Sequence, residues 1–295
     1  MDRREALAPL SRPDSGAQPD SGPPAISLRG AALAYGERVL WQGMDLDVRP
    51  EEFLAVLGPN GSGKTSLLRI LLGRQPLTAG QVSVLGRPPD RARGLVGYVP
   101  QQNSLPAHTL LRARDMVRLG LDGHRWGLPI TPGAVRRRVD ELLDSVGALP
   151  YADTPIGRLS GGEQQRVRIA QALATDPRVL LCDEPLLSLD LQHQRTVIRL
   201  VDRRRRAAGT AVVFVTHEIN PVLGPADRVL YLAAGGFRVG PPEEVMTTEV
   251  LSQLYGTHVD VVRVRGRVVV VGAPDAATDA HHSARPNGGR TPWAH

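Results

Sequence analysis

The chain has 295 residues, of which 41% are hydrophobic and 22% charged, with a formal net charge of +6 and one cysteine. This length suits one large domain, or a domain with a subdomain. No apolar run approaches the ~20 residues that span a bilayer, and no apolar segment typical of a secretory signal follows the N-terminus. A single cysteine excludes an internal disulfide, so we expect a cytoplasmic protein in which Cys182 is a buried thiol.

The excess of positive charge is scattered along the chain, and its longest basic run is residues 203–206 at the end of a predicted helix. Cations are stabilised near the negative end of a helix dipole, so this run predicts a solvated helix end. No aromatic side chains interleave with the run to stack on bases. We therefore expect no nucleic-acid partner.

The first predicted elements are β-strands that follow a polar tail. Residues 1–24 are rich in Pro, Ser, Asp and Gly without periodicity, which is typical of a disordered segment. Apolar and alternating runs then predict a series of short strands. These strands cover residues 26–34, 44–48, 53–57, 81–85 and 97–99.

A glycine-rich loop lies between the strand 53–57 and a predicted helix at 65–72. It fits the phosphate-loop pattern G-x-x-x-x-G-K-[S/T] in the strand–loop–helix context that this motif requires. Its lysine is the only one among 36 lysine and arginine residues. The residues of the loop are Gly58, Pro59, Asn60, Gly61, Ser62, Gly63, Lys64 and Thr65.

The residue types of this loop suit a nucleoside triphosphate. Glycines allow successive backbone N–H groups to turn inward, and the helix N-terminus adds partial positive charge. Lys64 is a compact point charge that can follow the β- and γ-phosphates, where a planar arginine would fit poorly. The Thr65 hydroxyl is a candidate ligand of Mg²⁺.

The second half of the chain alternates helices with apolar strands. Amphipathic stretches at 110–121 and 134–146 predict a helical insertion in an α/β core, and 163–174 is again helical. Continuous apolar runs at 179–182 and 211–215 are typical of central parallel strands. A further strand at 229–232, a helix at 243–255 and a hairpin at 259–271 that turns at Gly266 follow, before a polar, irregular tail at 273–295.

Residues 159–166, with the sequence LSGGEQQR, resemble the signature loop of ATP-binding cassette (ABC) ATPases. A hydroxyl and exposed glycine N–H groups at a helix start form a second phosphate clamp, here Ser160, Gly161 and Gly162. A clamp so far along the chain from the first loop suggests use on another subunit's nucleotide.

Other segments are similar to further motifs of the same family. Residues 179–185 resemble the Walker B strand, which implies that Asp183 holds Mg²⁺ and that Glu184 is the general base. His217 resembles the switch histidine that hydrogen-bonds the γ-phosphate. Gln101 resembles the Q-loop glutamine that touches Mg²⁺ and the attacking water, with the adjacent Gln102 as the alternative.

Two supporting resemblances complete the set. Residues 188–190 match the D-loop, which crosses the dimer interface in this family, and Asp190 is its acidic residue. Tyr35 matches the aromatic side chain that stacks on adenine, with ordinary strand packing as the alternative.

The resemblance implies an α/β fold over residues 25–272: a RecA-like P-loop NTPase core with an antiparallel β-subdomain and a helical ABC subdomain. The helical subdomain would cover about 105–156, and a C-terminal helix and hairpin about 243–272. Two cassettes would sandwich ATP and Mg²⁺ between Lys64 of one subunit and Ser160 and Gly162 of the other. Glu184, His217, Lys64 and Gln101 would be catalytic.

The resemblance also implies partners. The second cassette would be another copy of the chain, which we favour, or a paralogue. An integral-membrane permease would dock on the helical region, and an extracellular substrate-binding protein would act through that permease. The chain would then lie at the cytoplasmic face of the membrane as a peripheral subunit.

The segments around the D-loop (186–191), the switch histidine (217–223) and the Q-loop (98–101), with the run 254–256, resemble ATPases of zinc- and manganese-type importers. Iron-siderophore and cobalamin importers are the nearest alternative. A cassette ATPase acting on ribosomes or DNA is disfavoured, because such proteins carry tandem cassettes or a long inserted coiled coil. The presence of Lys64, Asp183, Glu184 and His217 argues against a catalytically silent cassette.

Overall fold

The computed structural model describes residues 22–101, 106, 108–122, 133–187 and 189–272. Within those ranges, no helix combines the length and apolarity needed to cross a membrane. The strands are β1 Ile26–Tyr35, β2 Arg38–Val48, β3 Phe53–Leu57, β4 Ala79–Val84, β5 Val96–Val99, β6 Val179–Asp183, β7 Ala211–Val215, β8 Arg228–Ala233, β9 Gly236–Gly240, β10 Asp260–Val264 and β11 Arg267–Val271. The helices are α1 Lys64–Leu71, α2 Ala113–Asp122, α3 Gly133–Ser145, α4 Gly161–Ala172, α5 Leu191–Ala208, α6 Pro242–Val245 and α7 Thr248–Tyr255.

The central sheet has six strands in the order β5-β6-β7-β3-β8-β9. The first five are parallel, and β9 is antiparallel to β8 at the edge. Every residue of β3, β6 and β7 is buried, as their continuous apolar runs predict for strands covered on both faces. In register, Val56 pairs with Val215, and Val215 pairs with Asp183, so the carboxyl ends of three neighbouring strands lie side by side.

A separate three-stranded antiparallel sheet, in the order β2-β1-β4, packs over α1. Buried residues of this sheet, such as Ile26 and Trp41, form one hydrophobic cluster with Leu67 and Leu68 of α1 and with Val56 of β3. This cluster covers one face of the central sheet and fixes α1 beneath the loop that follows β3. The predicted α/β core and antiparallel β-subdomain are confirmed.

The other face of the central sheet is covered by helices. Residues of α2, α3 and α4, including Val117, Leu143 and Val167, share a hydrophobic cluster with Phe53 and Phe214. The two phenyl rings stack with their centroids 5.4 Å apart. The described helices α2 and α3 lie in the predicted helical region, whose bounds of about 105–156 stay a prediction because residues 102–105, 107 and 123–132 lie outside the description.

Two predicted elements differ from the structure, and a third element was not predicted. Strand β2 begins at Arg38, not at residue 44, and the predicted helix at 243–255 is two helices, α6 and α7. The break has a local cause, because the Thr247 hydroxyl caps α7 by accepting a hydrogen bond from the Val250 N–H at 3.3 Å. Strand β9 was not predicted. The predicted tails lie outside the described residues, apart from residues 22–24.

The expected solvated end of α5 is wrong for Arg205, whose side chain is only 6% exposed. Its Nη1 group donates to Asp227 Oδ2 and to the Glu51 carbonyl oxygen, each at 2.6 Å, and its Nε group donates to Asp202 Oδ1 at 2.8 Å. Buried ions must be paired and hydrogen-bonded, and this guanidinium satisfies three acceptors from three parts of the chain. Arg205 therefore fastens α5 to the amino-terminal edge of the central sheet.

We expect Arg205→Met to destabilise the protein by about 1–3 kcal/mol, because it leaves the Glu51 carbonyl oxygen and the half-exposed Asp227 carboxylate without their donor. Arg206→Met is the matched control, since Arg206 also pairs with Asp202 but is 63% exposed, and its loss should cost less than about 1 kcal/mol. Urea unfolding followed by circular dichroism measures both. Equal effects in the two variants would refute the structural role of Arg205.

Candidate functional site

The loop between β3 and α1 is shaped by glycines that no other residue could replace without strain. Gly58 has φ 139°, and a Cβ there would lie 2.1 Å from the Leu232 carbonyl oxygen. Gly63 has φ 97°, and a Cβ there would lie 2.8 Å from the indole Nε1 of Trp41. The loop thus turns tightly between β8 and β2, with the N-terminus of α1 at its end, as an anion-binding nest requires.

Lys64 opens α1, and its side chain lies back across this loop. Its Nζ group donates to the carbonyl oxygens of Gly58 at 2.7 Å and Pro59 at 3.0 Å, and only 6% of the residue is exposed. Burial lowers the pKa of the Lys64 ammonium, and the nearby charges of Glu184 and Asp183 oppose that shift. The cation is therefore held at the mouth of the loop by two neutral acceptors that phosphate oxygens can replace.

Asp183 ends β6 next to the start of α1. The Thr65 hydroxyl donates to its Oδ1 at 3.2 Å, and the Tyr98 hydroxyl donates to its Oδ2 at 3.4 Å. Burial raises the pKa of Asp183, and the two hydrogen bonds partly offset that rise. A hydroxyl and a carboxylate side by side beneath a phosphate-binding loop are the hard oxygen donors that Mg²⁺ prefers, so these residues fit that ion.

Glu184 follows directly and has a left-handed backbone with φ 48°, a conformation that costs a non-glycine residue about 1–3 kcal/mol. Its N–H group donates to the Val215 carbonyl oxygen at 3.0 Å. Its Oε2 lies 2.6 Å from Nδ1 of His217, the second residue after β7. Such strain is typical of functional sites, and here it occurs at the residue whose carboxylate contacts the imidazole.

Two cavities flank this cluster and share Asn60, Gln101 and Glu184. The first, of about 540 Å³, extends from Lys64 and Thr65 to Tyr35, whose ring is about half exposed at the rim. The second, of about 610 Å³, has a polar side at Glu184 and His217 and an apolar side. That apolar side includes Ile219, Tyr231, Met246, Tyr255 and Val270.

The Tyr35 hydroxyl is held by two side chains. It lies 3.1 Å from Ser66 Oγ on α1 and accepts a hydrogen bond from Gln75 Nε2 at 2.8 Å. These contacts fix the ring at the edge of the cavity that contains Lys64, where the residue is about half exposed. A fixed, half-exposed aromatic ring is a suitable stacking surface for a planar base.

The predicted signature loop lies elsewhere in the chain. Ser160 caps α4, since its Oγ accepts from the Glu163 N–H at 3.4 Å while Glu163 Oε2 accepts from the Ser160 N–H at 2.8 Å. Asp190 caps α5 in the same way, by accepting from the His193 N–H at 2.9 Å. Neither Gly161 nor Gly162, nor either capping residue, lines the two cavities near Lys64.

The candidate site residues therefore form two groups. One chain brings together Tyr35, the loop from Gly58 to Thr65, Gln101, Asp183, Glu184 and His217. It leaves Ser160, Gly161, Gly162 and Asp190 apart from them. Gln102, the alternative to Gln101, and Ser188 of the D-loop lie outside the described residues.

Sequence reasoning missed two side chains that support this site. Tyr98 belongs to the predicted strand 97–99 and to the Q-loop segment 98–101, but neither pattern predicts that its hydroxyl contacts Asp183. Trp41 is fully buried directly beneath Gly63. Trp41 lies outside the predicted strand 44–48, and Tyr98 alternates with the buried Gly97 and Val99, so only the tertiary structure brings both side chains to the loop.

Comparisons with known proteins agree with this geometry. A family model described as ABC transporter matches residues 41–187. The spermidine/putrescine import ATP-binding protein PotA 1 of Pseudomonas aeruginosa is 37% identical, covering 75% of this chain. The hemin import ATP-binding protein HmuV of Thermobifida fusca and the zinc transport system ATP-binding protein TroB of Treponema pallidum are each 34% identical, covering 82% and 80% of this chain.

The chain spans 61% of the length of the polyamine relative, but 86% and 88% of the hemin and zinc relatives.

Solved structures are also similar. One is an inward-facing conformation of a transporter described as metal-chelate type, with a TM-score of 0.71 and 27% identity over 84% of this chain and 96% of that one. Another is the ATP-binding cassette MJ0796, a post-hydrolysis dimer bound to ADP and Pi, with a TM-score of 0.64 and 30% identity over 73% of this chain and 98% of that one. The chain therefore belongs to the import-type ATP-binding subunits of ABC transporters, a family of ATPases that use ATP with Mg²⁺.

Proposed function

We propose that this chain hydrolyses ATP to power an ABC importer of a metal ion, zinc or manganese. The observation that carries the proposal is the convergence of three motifs at one edge of the sheet. Lys64, the Thr65–Asp183 pair and the Glu184–His217 pair all lie at the carboxyl ends of β3, β6 and β7. Ligands bind at this edge in open parallel sheets.

In this mechanism the chain's own residues bind and orient ATP. Tyr35 stacks on the adenine, and the N–H groups of residues 58–65 receive the phosphates. Lys64 exchanges the carbonyl oxygens of Gly58 and Pro59 for phosphate oxygens, so its ammonium follows the charge. Thr65, Asp183 and Gln101 hold Mg²⁺, which when bound neutralises charge on the phosphates.

Glu184 and His217 prepare the attacking water. The Glu184 carboxylate accepts a hydrogen bond from the water and polarises it as the general base. His217 lies 2.6 Å from that carboxylate, which orients the imidazole toward the γ-phosphate. Because the left-handed backbone of Glu184 fixes its direction, both groups are in place before ATP arrives.

The second half of the site comes from another subunit, most simply a second copy of this chain. Ser160, Gly161, Gly162 and Asp190 are held by helix caps but lie outside the cavities near Lys64. We propose that they clamp the nucleotide of the partner cassette. Closure on ATP and opening after hydrolysis then form a two-state cycle biased by the γ-phosphate.

The remaining partners follow from an importer function. A permease would contact the helical region that includes α2 and α3, and an extracellular substrate-binding protein would deliver the substrate to it. The chain would then lie at the cytoplasmic face of the membrane. The zinc relative and the structure described as metal-chelate type support metal as the substrate. A second candidate, import of an iron chelate such as hemin, is supported by the hemin relative.

The substrate is tested by deleting the gene and measuring cellular zinc, manganese and iron by mass spectrometry in metal-limited medium. We expect zinc or manganese to fall, and the wild-type gene but not the Glu184→Gln variant to restore it. A fall in iron alone, corrected by the wild-type gene, would favour the chelate importer instead. Unchanged metals with impaired uptake of a polyamine or phosphonate would contradict metal import altogether.

A further inference from the structure

We propose that His193 is a positioning residue that joins the D-loop to the signature loop, so that both act on the partner's nucleotide as one body. This inference rests on the proposed function. His193 lies in the first turn of α5, just after the D-loop, and is not part of any of the sequence motifs of the family.

The first contact joins His193 to Asp190. Its backbone N–H donates to Asp190 Oδ1 at 2.9 Å, and its ring Nδ1 lies 2.8 Å from Asp190 Oδ2. Because a carboxylate only accepts hydrogen bonds, Nδ1 must carry the proton of this second bond. These two hydrogen bonds lower the pKa of the Asp190 carboxyl, which therefore stays ionised and keeps the ring in place.

The second contact joins His193 to the signature loop. A Cβ on Gly162 would lie 2.5 Å from the His193 ring atom Cδ2 and 2.9 Å from Cγ. The ring therefore packs directly on Gly162, and a larger residue at this position would displace the ring. Gly162 is buried in this chain, and this contact gives the second glycine of the signature loop a structural reason of its own.

Together, the two contacts place one imidazole between Asp190 and Gly162. Under the proposed function, both of these residues face the nucleotide bound by the partner subunit. A side chain that is hydrogen-bonded to one and packed on the other fixes their separation. The two loops then reach the partner's site together when the dimer closes, and each is in position for the chemical step.

This role predicts a specific kinetic pattern. Tyr35 and Lys64 bind ATP within the same chain and do not touch His193, so ATP binding should persist without it. The closed state that hydrolyses ATP needs the D-loop and the signature loop to be correctly placed relative to each other. We expect His193→Ala to lower kcat about tenfold and to change KM for ATP less than about twofold, which corresponds to an interaction made mainly in the closed state.

Two further variants separate the two contacts. His193→Asn keeps a donor near the position of Nδ1 and should retain kcat within about threefold of wild type. His193→Phe keeps a ring but no donor and should behave like His193→Ala. The matched control is His258→Ala, which removes another exposed His–Asp contact, 3.0 Å long, outside the site, and should leave kcat unchanged.

Steady-state ATPase kinetics and melting temperatures of all four variants test the proposal. A normal kcat in His193→Ala would overturn it. So would an equal fall in all three His193 variants accompanied by a lower melting temperature, because that pattern indicates a general loss of stability. Wild-type protein without ATPase activity would instead refute the proposed function, and this inference with it.

Discussion

Replacing Glu184 with Gln is expected to lower ATP turnover by about a thousandfold while ATP still binds. The amide keeps the size of the side chain but cannot take a proton from water. Since Lys64 and the loop from Gly58 to Thr65 are unchanged, the nucleotide and its clamp remain intact. The variant should therefore accumulate as an ATP-bound dimer, which size-exclusion chromatography with ATP and Mg²⁺ detects.

Glu218→Gln is the matched control for this prediction. Glu218 is also near the imidazole, with its Oε1 3.8 Å from His217 Nε2, but its side chain is 53% exposed. Its turnover should stay within about twofold of wild type, since exposed pairs contribute little. Near-normal turnover in Glu184→Gln, or only monomer with ATP present, would contradict the role assigned to Glu184.

Lys64→Ala is expected to abolish ATPase activity and to weaken ATP binding. The ammonium is buried at the loop mouth, and no other lysine exists in the chain to replace it. Lys64→Arg should also be severely impaired, because a planar guanidinium does not fit where a point charge lies between two carbonyl oxygens. Phosphate release and equilibrium binding of a fluorescent ATP analogue measure the two effects.

The single lysine also allows a direct measurement of its environment in the wild-type protein. An amine-reactive reagent can label only Lys64 and the N-terminal amine, and mass spectrometry separates the two sites. We expect ATP with Mg²⁺ to protect Lys64 from labelling and to leave the N-terminus unaffected. Normal turnover in Lys64→Ala, or no protection by ATP, would refute its role in phosphate binding.

The local parts of the site could be predicted from the sequence because each depends on a short segment. The loop between β3 and α1 and the acidic end of β6 follow directly from buried apolar strands and the residues after them. The carboxyl ends of parallel strands lie at the same edge of a sheet. The sequence therefore indicates that Asp183 lies near Thr65 and that Glu184 lies near His217.

Other features depend on tertiary contacts that a local pattern does not contain. Strand β9 is short and glycine-bounded, so it is typical of a turn until β8 offers it an edge to pair with. The run of four arginines does not indicate which of them is buried. Arg205 is the buried one because Asp227 and the Glu51 carbonyl oxygen lie where its guanidinium can reach them. The packing of His193 on Gly162 likewise joins two helix starts that are distant in sequence.

The central claim is that two chains share each nucleotide, and cysteine cross-linking tests it most directly. The only native cysteine, Cys182, is fully buried, and burial raises the pKa of its thiol, so introduced cysteines report without background. Asn60 in the phosphate loop and Arg158 beside Ser160 are both exposed. The measurement combines Asn60→Cys and Arg158→Cys in the Glu184→Gln chain and uses a short bis-maleimide reagent.

With ATP and Mg²⁺ we expect a covalent dimer on a denaturing gel, linked between residue 60 of one chain and residue 158 of the other. The dimer should disappear without nucleotide and when Lys64→Ala is added. Cross-links found only within one chain, or a covalent dimer that forms equally without ATP, would contradict a nucleotide held between two subunits.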